Sequence, residues 1–208
     1  MKNYILNEGY LNSINFFTKG YKDKIYTSKK SFIDLSNCAG SILLGHNHNF
    51  FYKTIKKYLS ENISNFAHPN IHAINFSKTI KKIFPNFSDI IYCNSGTEAV
   101  IKALRISKAL NNNKLIVSVS GSWHGSVDQL LFFPDKNLKP HPLSAGLPDT
   151  YKSNLRFIPF GKIEESKKIL DKIKKNINCL IIEPVQASLP SSDPVRYLKF
   201  LENYCKKN

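Results

Sequence analysis

An α/β layered fold with a largely parallel sheet is the architecture that this chain's residue pattern calls for. Two observations carry the expectation. From about residue 90 onward, short apolar runs alternate with segments whose apolar residues recur at helical spacing. Those runs are also nearly continuous, as in strands buried on both faces, rather than alternating apolar with polar.

The elements follow in order. The first fifty residues read as short extended pieces and turns, with Lys24-Ile25-Tyr26 and Ser31-Phe32-Ile33-Asp34-Leu35 as two strands of a hairpin. Phe51, Ile55 and Leu59 are spaced as one face of a helix over 50–60. Ile71, Ile74, Ile80 and Ile83 define a second helix over 71–84, stopped by Pro85. Ile90-Ile91-Tyr92-Cys93 reads as a short buried strand. Glu98 to Leu110 reads as a helix with Ala99, Ala103, Ile106 and Leu110 on one face, and Leu115 to Val119 as a strand. Residues 133–153, punctuated by Pro134, Pro140, Pro142, Gly146 and Pro148, form a long irregular loop of a kind that often carries function. A basic amphipathic helix fits 163–176, Cys179 to Glu183 is an apolar strand ending in an acid, and a last helix covers Tyr197 to Cys205. This divides the chain into an N-terminal segment, 1–65, and a larger domain, 66–208.

Bulk properties narrow the function. Thirty Lys and Arg against 15 acidic residues give a net charge of +15. Such a balance suits either an anionic partner or a lysine-rich bias spread over solvated faces. The lysines come as scattered pairs such as Lys29-Lys30 and Lys81-Lys82, not as a basic arm, and no nucleic-acid recognition motif accompanies them. Cys38, Cys93, Cys179 and Cys205 form no C-x-x-C pair and read as reduced, buried thiols. No apolar run reaches the roughly 20 residues of a membrane helix, and Met1-Lys2-Asn3-Tyr4 lacks a signal peptide's apolar stretch. A cytoplasmic protein is expected, with neither membrane nor nucleic acid as partner.

Parallel sheets bind ligands at the carboxyl ends of their strands, which directs attention to the turns after residues 93, 119 and 182. The first is Asn94-Ser95-Gly96-Thr97-Glu98-Ala99. A Gly-containing turn opening a helix gathers backbone N–H groups and the positive helix end, a setting for phosphate with the Ser95 and Thr97 hydroxyls as further donors. Ser95 and Glu98 equally have capping-box spacing, and the two readings are compatible. The second is Gly121-Ser122-Trp123-His124-Gly125, whose centre is not a nucleophile elbow. Trp123 fits core packing, or stacking on a planar charged ring beside an anion site; His124 alone fits a satisfied structural histidine. The third is Glu183-Pro184-Val185-Gln186, where a carboxylate at the end of a buried strand requires a partner. His46 and His48 lack a third ligand nearby in sequence, so no metal site is expected.

In this order and spacing, the three motifs resemble those of class III aminotransferases, most of all glutamate-1-semialdehyde aminomutases. Ile33-Asp34 and Leu44-Gly45-His46 agree with the family's early segments, and Ala145-Gly146-Leu147-Pro148 favours the aminomutase branch. The resemblance covers the chain from about residue 15. It implies the fold type I architecture of enzymes using pyridoxal 5'-phosphate (PLP), a homodimer with sites at its interface, and a small amino or keto substrate. Ser95, Gly96 and Thr97 would hold the cofactor phosphate. Trp123, where the family more often has Tyr or Phe, would stack on the ring, His124 and Gly125 would shape that wall, and Glu183 would lie near ring and substrate. Gly40-Ser41 matches a segment near the family's substrate entrance, with Ile42 in place of the usual aromatic. The family's ring-nitrogen Asp and Schiff-base Lys are expected beyond Asn208. The chain therefore reads as the N-terminal part of such an enzyme, inactive alone and poorly soluble, or as a non-catalytic paralogue that acts by dimerising.

Overall fold

Among residues 17–61, 68, 70–188, 190 and 194–208, which the computed structural model describes, the chain divides into two units, Met1–Phe84 and Pro85–Asn208. The expected boundary at 65/66 lies outside the described residues, as does the N-terminal tetrapeptide.

In the first unit, β1 (Lys19–Tyr21), β2 (Lys24–Tyr26) and β3 (Ser31–Ile33) form an antiparallel meander. The expected hairpin is its second half, in the register Lys24↔Ile33. Thr27 closes the turn by accepting the Lys30 N–H at 3.1 Å. Asp34 leaves the sheet, and its carboxylate meets His46 Nε2 at 2.7 Å. That bond foremost, with a Ser36 hydroxyl bond, holds the Asp34 carboxyl at about 2. His48 caps α1 (Asn49–Ser60) by accepting the Phe50 N–H, and Asn70 caps α2 (Ile71–Ile83) through the Ala73 N–H. Both histidines are thus in structural use, and no metal-holding cluster occurs among the described residues. Neither helix buries a side chain.

The second unit is built on a parallel sheet in the order β7-β4-β8. β4 (Leu115–Val119) pairs with β7 (Leu155–Ile158) on one side and β8 (Ile177–Ile181) on the other. Successive β4 side chains point to opposite faces, and each face has its own core. Ile116 joins Leu104 of α3 (Gly96–Leu110) together with Leu130, Phe132, Leu155 and Phe157. Val117 and Val119 pack on the other face with Leu170 of α5 (Ile163–Ile173) and with Tyr197, Leu201 and Tyr204 of α6 (Val195–Lys207).

Polar bolts fix the helices to this sheet. The Asn178 carboxamide donates to the Ser107 and Asn111 carbonyls at 3.2 and 3.1 Å, satisfying orphan groups where α3 ends. Ser166 and Tyr197, both buried, donate to the Pro159 carbonyl at 3.0 and 2.8 Å and tie α5 and α6 to the end of β7.

Several expectations change. Residues 90–93 are not a strand: among the described residues no neighbour supplies a ladder, and Ile91 and Tyr92 are exposed. β7 was not expected at all. The proline-rich stretch is partly regular, since β5 (Phe132–Pro134) and β6 (Pro140–Pro142) pair antiparallel and α4 (Asp149–Ser153) follows. Its prolines sit where a short two-stranded ribbon asks for no N–H. β8 starts two residues earlier than expected and stops at Ile181, where its pairing with Ser118 ends. The cysteines are free, but Cys38 and Cys205 are exposed and the other two half-buried rather than buried.

Candidate functional site

The three turns singled out by sequence all belong to the second unit, and the structure joins them pairwise. The first opens α3. Ser95 Oγ accepts the Glu98 N–H at 3.2 Å, and the Glu98 carboxylate accepts the Asn94 N–H at 2.8 Å. This is a capping box shifted by one residue, since the reciprocal bond reaches Asn94 instead of Ser95. Among the described residues, the Gly96 and Thr97 N–H groups take no partner within the chain. A Cβ on Gly96 would meet open space. Two donors therefore stand unpaired at the positive end of a 15-residue helix.

The second turn folds against the first through Thr97. Thr97 Oγ1 accepts the Ser126 N–H at 3.1 Å. Gly125 has φ +73°, and a Cβ there would overlap Thr97 Oγ1. Both its conformation and its lack of a side chain are needed for this approach. Trp123 stands 57% exposed. His124 points the other way: it is buried, with Nε2 3.3 Å from Ser118 Oγ. Burial lowers its pKa, against an opposing pull from the Glu183 carboxylate, so the imidazole is neutral at neutral pH.

The third turn reaches back to the second. Glu183 Oε2 accepts the Trp123 N–H at 2.9 Å, and Oε1 accepts the Ala187 N–H at 3.1 Å. Both carboxylate oxygens thus hold backbone. The Glu183 N–H in turn donates to Ser122 Oγ at 3.2 Å. Junctions therefore run through Thr97 and Glu183, while Ser95 Oγ caps the helix as an acceptor with its own proton still free to donate, and His124 is buried.

One residue of this region escaped the sequence reading. Gln186, only 2% exposed, donates from Nε2 to the Ser120 carbonyl at 2.6 Å and to Ser122 Oγ at 3.3 Å. A carboxamide three residues beyond the acid at a strand end was its only signal. Beside Trp123 lies a hollow of about 490 Å³ whose walls include Phe132, Phe133 and Leu143.

Comparison with known proteins follows the same outline. Residues 7–208 match the family model described as aminotransferase class III. Glutamate-1-semialdehyde 2,1-aminomutase of Thermodesulfovibrio yellowstonii is 31% identical over 196 residues, which cover 92% of this chain and 46% of that protein. The protein of the same name from Archaeoglobus fulgidus is 31% identical over 204 residues, covering 93% and 47%. A solved structure titled as a transaminase with PLP bound superposes with a TM-score of 0.82 at 24% identity, over 93% of this chain and 46% of that one. Glutamate-1-semialdehyde aminomutase of Pseudomonas aeruginosa superposes with 0.73 at 16% identity, over 91% and 43%. The fold is that of the type I PLP-dependent transferases, and the chain spans a little under half the length of the relatives it matches.

Proposed function

The chain belongs to the class III aminotransferase family, and from that premise we propose that it serves PLP-dependent transfer of an amino group on a small amino or keto substrate, in the manner of glutamate-1-semialdehyde aminomutases. The residues fit the cofactor: free N–H donors at a helix end suit a phosphate, and an exposed indole suits a planar ring. Bound there, PLP supplies the electron sink for amino-group exchange.

Each residue then has a task. The Gly96 and Thr97 N–H groups bind phosphate oxygens. Thr97 Oγ1 accepts from Ser126, which leaves its own hydroxyl proton free to donate to the same phosphate. Ser95 orients that helix end by capping it. Trp123 covers one ring face. His124, neutral, backs the wall without adding charge, and Gly125 lets the wall approach Thr97. Glu183 holds Trp123 in place through backbone.

The observation that carries this reading is the bond from Ser126 N–H to Thr97 Oγ1, because it couples the anion-binding helix end to the aromatic loop. Equilibrium dialysis with PLP tests it. Thr97→Val should weaken binding by about tenfold or more, the worth of a charge-assisted hydrogen bond; unchanged affinity would count against the assignment.

We further propose that this chain grips the cofactor without completing the chemistry, because none of its lysines stands in a motif assignable to the Schiff base. The purified chain should turn over no glutamate-1-semialdehyde with added PLP. The same observation favours, as a second reading, a binding role by pairing with a complete paralogue. Homodimerisation is supported by Phe50, Phe51, Ile55 and Leu59, all exposed on α1, and light scattering on the purified chain reads it directly. Among the described residues, no helix is long and apolar enough to cross a membrane.

A further inference from the structure

Four consecutive residues of the aromatic loop are each tied to the segment 183–188. The Ser120 carbonyl accepts from Gln186 Nε2 at 2.6 Å. The Gly121 carbonyl accepts from Ser188 Oγ at 3.1 Å. Ser122 Oγ accepts both the Glu183 N–H at 3.2 Å and Gln186 Nε2 at 3.3 Å. The Trp123 N–H donates to Glu183 Oε2 at 2.9 Å. By contrast, the Trp123 indole itself makes no hydrogen bond or ring stack among the described residues, and it is 57% exposed. What the strap anchors is the backbone that carries the indole.

Gln186 is the buried centre of this strap. Its Oε1 would lie 2.8 Å from a Cβ on Gly121, which has φ +85°. The carboxamide thus lies flat on the turn that swings the chain toward Trp123, and only glycine leaves it room. Its Nε2 donates within the 120–122 turn.

We propose that Gln186 is a positioning residue for the cofactor ring: its carboxamide fixes the 120–123 backbone and thereby the orientation of the Trp123 indole. The inference rests on the PLP-binding reading for its functional meaning, while its mechanical part stands on the bonds alone. Gln186 need not touch the ligand. It limits how far the indole can rock, so that the ring face is formed before the cofactor arrives.

Trp123 is the only tryptophan in the sequence, so its fluorescence reports on this one position. The test compares the full chain with Gln186→Met, Ser122→Ala and Ser166→Ala, the last loosening a buried polar junction away from the loop. In cofactor-free protein, time-resolved anisotropy should show a larger fast-wobble amplitude for Gln186→Met and Ser122→Ala. Ser166→Ala should lower the melting temperature yet leave the wobble at the full chain's value. PLP affinity should fall about tenfold in Gln186→Met, the effect of losing two buried hydrogen bonds that preorganise a site. Should Gln186→Met not fold, Ser122→Ala decides. Unchanged wobble in the decisive variant, or an equal rise in Ser166→Ala, overturns the proposal. If no variant and no parent chain bound PLP while the wobble rose as expected, the cofactor reading would fall and the strap would stand.

Discussion

The two units of the chain earn their order differently. In Pro85–Asn208, a three-stranded parallel sheet carries a core on each face, and every buried hydrophobic residue of the described chain lies between Leu104 and Tyr204. In the described part of Met1–Phe84, order comes from turns, caps and the Asp34–His46 pair, while Phe50, Ile55, Leu59, Ile71 and Ile74 stay exposed. The first arrangement stabilises itself by removing apolar surface from water. The second holds local geometry but leaves its apolar faces available to another surface. The candidate site sits wholly on the self-stabilised unit, which is where a preorganised cradle belongs.

The sharpest way to break this contrast is a pair of leucines. Leu170, fully buried on α5, should lose about 2–5 kcal/mol of stability on Leu170→Ala. Leu59, 69% exposed on α1, should change stability by no more than about 0.5 kcal/mol on Leu59→Ala. Urea denaturation followed through Trp123 fluorescence and far-UV dichroism measures both. Equal effects would erase the distinction between the units.

A smaller effect is expected within the site. Gly125→Ala must force a side chain into a left-handed conformation and into Thr97. It should cost roughly 1–3 kcal/mol and lower PLP affinity in parallel. A stable variant with parental affinity would mean that the aromatic loop and the helix end are not mechanically joined.

The smallest effect is a pH dependence of the second unit. His124 is depressed in the folded chain by burial, with Glu183 pulling the other way. The unfolded chain therefore takes up this proton at a higher pH than the folded one. Stability is full above about pH 6.5, declines as pH falls below it, and levels off once the folded imidazole is also protonated. The slope cannot exceed about 1.4 kcal/mol per pH unit for one proton. His124→Gln should flatten that part of the melting-temperature profile while leaving it unchanged above pH 7.

Legibility from sequence followed the strength of local signals. Helical spacing at Phe51–Leu59 and Ile71–Ile83, the Pro85 stop and the apolar run 115–119 each carried enough pattern to identify an element within a residue or two. Leu155-Arg156-Phe157-Ile158 did not: it is four residues long, follows a proline-rich stretch and contains a charge, so only pairing with β4 makes it a strand. Residues 90–93 failed the opposite way, being apolar but without a ladder among the described residues. At the site, the three turns were readable because strand ends and a Gly-containing helix start have sequence signatures. What each side chain bonds to was not. That Ser95 caps the helix, that Glu183 holds backbone and that Gln186 braces the turn are consequences of contacts 60 or more residues apart or of rotamer choice.

On the proposed reading, the helix end at Gly96 and the indole of Trp123 form one cradle for a phosphorylated aromatic ring. Titrating the purified chain with PLP and, separately, with pyridoxal lacking the phosphate, while following Trp123 emission, tests it most directly. Saturable quenching by PLP is expected, with pyridoxal weaker by at least about tenfold, the worth of a charge-assisted contact. Equal quenching by both ligands, or none by PLP, would contradict it.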